Sequence, residues 1–218
     1  MWSDLEKGFQ IAFDSAWNAY KNNTIPIGAA ILDNQGNLMA TGQNQIYSPG
    51  DGPIQFHKMA HAEINAILKL STIQDSTIND YIKTFTLYST MEPCPLCFGA
   101  IVIGNIRNLK YAARDSYGGA TSLNQSLDHI KNKNITITGP IEEAEIVQIA
   151  MQTCHELRSS TQNNQLPPDS LFQSWMADCK KGVLLGRHLY ENNILQNMAH
   201  CAFEDVYNHI VAIANQGR

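Results

Sequence analysis

Apolar residues recur at Leu5, Phe9, Ala12, Phe13, Ala16, Trp17 and Tyr20, which sets them on one face of a helix. Ser3 and Glu6 have the spacing of a capping box and predict its start. Two short apolar runs then flank the turn-forming stretch from Asp33 to Asn37, and they predict a β-hairpin with strands near 27–33 and 38–45. The Gly- and Pro-rich segment 46–56 reads as a loop. A helix over His61 to Leu70, a strand over 84–90, a short helix ending near Gly104 and a strand over 107–113 follow. The weakly helical stretch 122–132 precedes a last strand at 135–138. The 21 residues from Arg114 to Asn134 are too many for a tight hairpin and enough for a crossover, so the last two strands are expected to be parallel. Helices and strands in this order predict an α/β fold with helices layered over one sheet.

After Pro140 the pattern becomes helical throughout. Ile146, Ala150, Cys154 and Leu157 share one face of a helix over 140–160. Residues 159–169 read as a linker. Ser170 caps a second helix whose stripe of Leu171, Phe172, Trp175, Met176 and Cys179 is expected to end at Gly182. Apolar positions recur again from Leu195 to Ile213. The expected organisation is a main domain over 1–158, the linker, and a C-terminal helical extension over 170–218 that docks on the core or on a second subunit. Trp175, Tyr190 and Phe203 are read as core residues.

Composition narrows the function. Among 218 residues, 44% are hydrophobic, enough for a substantial core, and no apolar run is long enough to span a membrane. The N-terminal stretch does not resemble a secretory signal. Five cysteines are an odd number without framework spacing, which points to free thiols in a reducing, cytoplasmic setting. The net charge of −5 and scattered Lys and Arg give no sign of the basic face that a polyanion requires.

Four residues carry the chemistry. A catalytic zinc keeps three protein ligands and one open position. His61, Cys94 and Cys97 supply that number, and two cysteines three apart at a helix start point the same way. The helix N-terminus favours their thiolate forms. Glu63, two residues beyond His61, is left over as a proton carrier. Cys-x-x-Cys alone also fits a redox pair or half of a structural zinc site, and His or Glu alone fits an ordinary helix surface. The combination of H-x-E with a later P-C-x-x-C is the signature of zinc base deaminases, in which the Glu is not a ligand. The pairs Cys154-His155 and His200-Cys201 lack partners at ligand spacing and are read as structural.

The chain resembles the cytidine-deaminase-like superfamily, in the branch of tRNA adenosine deaminases and guanine or cytosine deaminases. The resemblance runs from about residue 3 to 158 and includes "PIGAAIL" at 26–32, "GQN" at 42–44, "AHAEINAI" at 60–67, "TLYSTMEPCPLCFGAI" at 86–101 and "YAARD" at 111–115. It implies a three-layer α/β/α fold with a five-stranded mixed sheet, one Zn2+ per subunit held by His61, Cys94 and Cys97, catalysis by Glu63, and a homodimer. It implies substrate contacts from Asn44, Pro93 and the backbone near Ala62 and Glu92, with His57 and Asp115 as further candidates. Asn44 also suits a turn, His57 a loop closure and Asp115 an exposed loop. Before the zinc His, this chain has "FHKMAH" where relatives commonly carry an Asp-Pro-Thr-like stretch. The reading that follows is hydrolytic deamination of a free base, nucleoside or nucleotide. The alternatives are adenosine deamination in tRNA and a catalytically idle zinc-bound scaffold.

Overall fold

The computed structural model describes residues 1–70, 72–73, 77–165 and 169–216. In chain order the elements are α1 (Lys7–Lys21), β1 (Gly28–Leu32), β2 (Leu38–Gln43), α2 (Ala62–Leu70), α3 (Ile78–Tyr81), β3 (Thr86–Met91), α4 (Pro95–Ile103), β4 (Asn108–Ala113), α5 (Asp128–Lys131), β5 (Thr136–Thr138), α6 (Glu142–Asn163), α7 (Asp169–Glu191), α8 (Ile194–Asn197) and α9 (Phe203–Gln216). The strands form one sheet in the order β2-β1-β3-β4-β5. β1 is antiparallel to both neighbours, while β3, β4 and β5 run parallel, as the long connections predict.

Alternation along the strands divides the core. Ala30, Leu32, Tyr88 and Ala112 face α1, α6 and the C-terminal helices. Ala29, Ile31, Leu87 and Leu109 face α2 and α4 on the other side. Both faces of the sheet are therefore covered, giving three layers. Two glycines permit close contact between layers. A Cβ on Gly28 would come within 2.0 Å of the Ala12 carbonyl oxygen in α1, and one on Gly42 would come within 2.0 Å of the Ala62 carbonyl oxygen in α2.

Three local expectations need correction. Leu5 is extended, so α1 starts after Glu6 and no side chain caps it; the expected capping box does not form. Glu6 instead accepts hydrogen bonds from Tyr88 Oη at 2.8 Å and Lys110 Nζ at 2.7 Å, tying the helix start to the sheet. Gly182 does not end a helix. α7 continues to Glu191, and its break lies at Cys179, whose φ of −145° and ψ of 73° are not helical. Gly182 is small because α7 lies against α6: a Cβ there would approach Ile149 Cβ to 2.8 Å. Finally, α6 extends to Asn163, into the stretch expected as a linker. Residues 166–168 of that stretch, and 217–218 of the extension, lie outside the described residues.

The C-terminal helices dock on the core of their own chain. Phe203 stacks on Phe13 with ring centroids 5.5 Å apart, and Trp2 and Tyr207 complete the cluster. Trp175 and Cys179 of α7 pack with Met91, Ala113 and Ile149 at one end of the sheet. Trp175 and Phe203 are buried as expected, and Tyr190 is half-buried.

Candidate active site

The candidate ligands lie at the sheet end where β3 and β4 finish. His61 precedes α2, and its carbonyl accepts from Asn65 N at 3.0 Å, the first bond of the helix. Cys94 is the N-cap of α4 with an extended backbone, and Pro95 occupies the first helical position, where its missing N–H costs nothing. Cys97 follows one turn later on the same side. Two helix starts, each with the partial positive charge of its N-terminus, thus converge on one spot.

His61 Nδ1 lies 3.6 Å from Cys94 Sγ and 3.4 Å from Cys97 Sγ, and the three donor atoms all fall within 4.8 Å of one another. A tetrahedral zinc with ordinary bond lengths would separate a nitrogen and a sulfur ligand by about 3.6 Å. The donor set and its spacing fit that ion. The electrostatics agree. Hydrogen bonding from the Cys97 thiol, with His61 beside it, draws the Cys94 thiol down to about 4. The same bond and burial push Cys97 up. The hydrogen bond with Cys94 raises His61. Metal binding would require both thiols to be deprotonated.

Glu63 sits on the first turn of α2 with 3% of its surface exposed, and burial holds its carboxyl above the ordinary range. Its Oε2 lies 3.2 Å from Cys97 Sγ, and its Oε1 accepts from Ser89 Oγ at 3.0 Å. Ser89 was not singled out in the sequence. Its signal is a polar residue between Leu87 and Met91 on one face of an otherwise buried strand.

The predicted substrate contacts divide. Asn44 is buried, and its Oδ1 accepts from Thr24 Oγ1 at 2.9 Å and from Ile46 N at 3.1 Å. Among the described residues, the Ala62 N–H at the start of α2 has no acceptor. Glu92 and Pro93 are engaged with the loop after β4. The Glu92 carboxylate accepts from Asp115 N, Thr121 N and Thr121 Oγ1, and the Pro93 carbonyl accepts from Ala120 N at 2.9 Å. Asp115 caps its own turn by accepting from Tyr117 N and Gly118 N, each at 3.2 Å, and burial raises its carboxyl. His57 is exposed, and its Nδ1 accepts from Met59 N at 3.1 Å. The structure therefore gathers His61, Glu63, Cys94 and Cys97 tightly, and it gives Glu92, Pro93, Asp115 and His57 local partners of their own.

The loop after β4 is also braced from the C-terminal extension. Asp178 of α7 accepts from Ser116 N at 2.8 Å and from Ser116 Oγ at 2.5 Å. No sequence pattern signals this pair, because residues 62 apart meet only once α7 docks.

A sequence model of the cytidine and deoxycytidylate deaminase zinc-binding region matches residues 2–113. A cytosine deaminase from Candida albicans is 25% identical over 155 residues, covering 71% of this chain and 86% of that protein. A tRNA-specific adenosine deaminase from Haemophilus influenzae is 34% identical over 116 residues, covering 53% of this chain and 61% of that protein. Among solved structures, guanine deaminase from Nitrosomonas europaea superposes with a TM-score of 0.51 at 21% identity, covering 68% of this chain and 86% of that one, which shows the shared fold.

Proposed function

This chain belongs to the cytidine and deoxycytidylate deaminase family, zinc-dependent hydrolases of nucleobases and nucleosides, and from that premise we propose that its substrate is a small amino-substituted base, nucleoside or nucleotide, with Glu63 as the proton carrier. The observation that carries the reading is the meeting of His61, Cys94 and Cys97 beside the buried carboxylate of Glu63. A zinc ion held by these three side chains supplies Lewis-acid activation of water.

The chain's own groups do the rest. Glu63, buried on the first turn of α2 beside the ligand cluster, is placed to take a proton from the attacking water at one step and release it at the next. Glu63 delivers that proton to the ring nitrogen next to the reacting carbon and a second one to the departing amine. The C–N bond breaks, a C=O bond replaces it, and ammonia leaves. Ser89 fixes one Glu63 oxygen so that the other faces the ligand cluster. Asn44 and the free N–H of Ala62 are the groups proposed to hold the base.

Ammonia release from a panel of adenine, guanine, cytosine and their nucleosides, with the zinc-loaded protein, tests the reading. Glu63→Ala is expected to abolish turnover while retaining zinc; full activity in that variant would remove the mechanism. A second reading, adenosine deamination in tRNA, draws on the 34% identity to the tRNA-specific enzyme. The net charge of −5 weighs against it. Inosine formed in an anticodon stem-loop, with no turnover of small substrates, would favour it.

The same reading includes a deaminase unit over 1–158 with a helical extension over 170–218, a homodimer and a cytoplasmic location. All five cysteines are free thiols, which supports a reducing compartment. Light scattering during gel filtration tests the dimer.

A further inference from the structure

Thr24 lies just beyond α1, where its N–H donates to the Ala19 carbonyl at 3.1 Å, and it has no exposed surface. Its hydroxyl accepts from Tyr47 N at 3.3 Å and donates to Asn44 Oδ1 at 2.9 Å. Asn44 Oδ1 accepts a second bond, from Ile46 N at 3.1 Å. Backbone N–H groups can only donate, so the two ends of this chain of bonds fix every assignment within it. The Asn44 atom that meets Ile46 N must be the amide oxygen, and the Thr24 proton, not needed by Tyr47, goes to the same oxygen. Nδ2 is left as the free end of the amide. It has no acceptor among the described residues and is not sealed from solvent.

The bond from Ile46 N is the local turn bond of an Asn and would form without Thr24. What Thr24 adds is a second donor on the same oxygen, from a residue 20 positions away. Asn44 is also joined to both halves of the reaction centre. The next residue, Gln45, donates from its N–H to the Ala60 carbonyl at 2.9 Å, immediately before His61. Asn44 N donates to the Ile27 carbonyl at 2.9 Å. The following Gly28 N donates to Thr90 Oγ1 at 3.2 Å, next to the Ser89 that holds Glu63.

We propose that Thr24 is a positioning residue for the base: it locks the Asn44 amide so that Nδ2 is offered as a donor. The base atom that meets Asn44 is then an acceptor, either a ring nitrogen without hydrogen or a carbonyl oxygen. A freely turning amide would accept from an N–H of the base as readily as donate, whereas the locked one sets N–H against N–H and rejects it. The role rests on the deaminase reading, in which Asn44 holds the base.

The test uses the zinc-loaded full chain and whichever of adenine, guanine, cytosine, their nucleosides or an anticodon stem-loop it deaminates best. Thr24→Val keeps the shape and removes the hydroxyl. It should raise KM about tenfold with kcat within about twofold, because a contact held equally in ground and transition states acts on KM. Thr24→Ser, which keeps the hydroxyl, should stay within about twofold of the wild type. In an Asn44→Ala background, Thr24→Val should change KM by less than about twofold, because the pair acts through one amide. An equal loss in both backgrounds would mean that Thr24 acts through the Tyr47 loop, and it would overturn the proposal, as would an unchanged KM. However Thr24→Val folds, a crystal structure of Glu63→Gln with the same substrate should show Asn44 Nδ2 on an acceptor of the base. Oδ1 turned to the base, or no contact with it, would overturn the role. A wild-type protein that releases ammonia from none of these substrates would overturn the deaminase reading itself, and this role with it.

Discussion

The Ser89 hydroxyl donates a 3.0 Å hydrogen bond to Glu63 Oε1 in a fully buried position, so a strand of the sheet aims a carboxylate carried by the neighbouring helix. A carboxyl that shuttles protons must be held within reach of two atoms in turn. Ser89→Ala should lower kcat by about tenfold while leaving zinc content unchanged. Steady-state kinetics with metal analysis checks this; an unchanged kcat would show that packing alone positions Glu63.

The two close-contact glycines should separate folding from metal binding. Gly42→Ala forces a Cβ against the backbone of α2, next to His61, so it should cost about 3 kcal/mol and also reduce zinc per folded molecule. Gly28→Ala presses on α1 instead and should cost a similar amount with zinc retained. Denaturant melts and zinc analysis of the soluble fraction distinguish the two.

Removing the metal should destabilise the protein, because ligand and folding equilibria are linked. Chelation, or Cys97→Ser, is expected to lower Tm by at least about 5 °C. Calorimetric scans with and without added zinc read the effect. A Tm that ignores zinc would argue that the ligands are held equally well without it.

His155 makes a pH prediction. Burial, with the Arg158 charge nearby, lowers its pKa to about 3. Tyr20 stands edge-on to the ring, with Cys154 and Glu156 on either side in sequence. The fold accepts only the neutral ring, whereas the unfolded chain protonates it below about pH 6.5. This contribution is complete above pH 6.5 and is lost at about 1.4 kcal/mol per pH unit as pH falls toward 3. His155→Asn should flatten the slope of stability against pH across that window by roughly this amount. Identical slopes in urea titrations at pH 4, 5 and 6 would refute it.

The brace between Asp178 and Ser116 should couple the extension to the site. Asp178→Ala frees two donors on the loop bonded to Glu92 and Pro93, and should reduce kcat/KM severalfold with little change in Tm. Hydrogen exchange across 114–121 should accelerate in the same variant.

The sequence made the fold and the ligand set readable because both rest on local signals. Short apolar runs, turn residues and the paired motifs at 61–63 and 93–97 each occupy a few adjacent positions. What escaped depends on distant partners. Glu6 matched a capping box, yet Tyr88 and Lys110 claim it once β3 and β4 lie beside α1. Gly182 looked like a helix stop, yet its small size serves the approach of α7 to α6. Ser89, Thr24 and Asp178 gain their roles only through neighbours brought together by folding.

The long loop before His61 is anchored from beneath. Gln45 and Asn65, neither with exposed surface, bond to each other, and between them they hold Gly52 N and both backbone groups of Ile54. The loop is thus mechanically an outgrowth of the helix that carries His61 and Glu63. Transplanting a foreign loop here should succeed only if this amide pair travels with it. Swapping the tip alone should leave the reaction centre undisturbed.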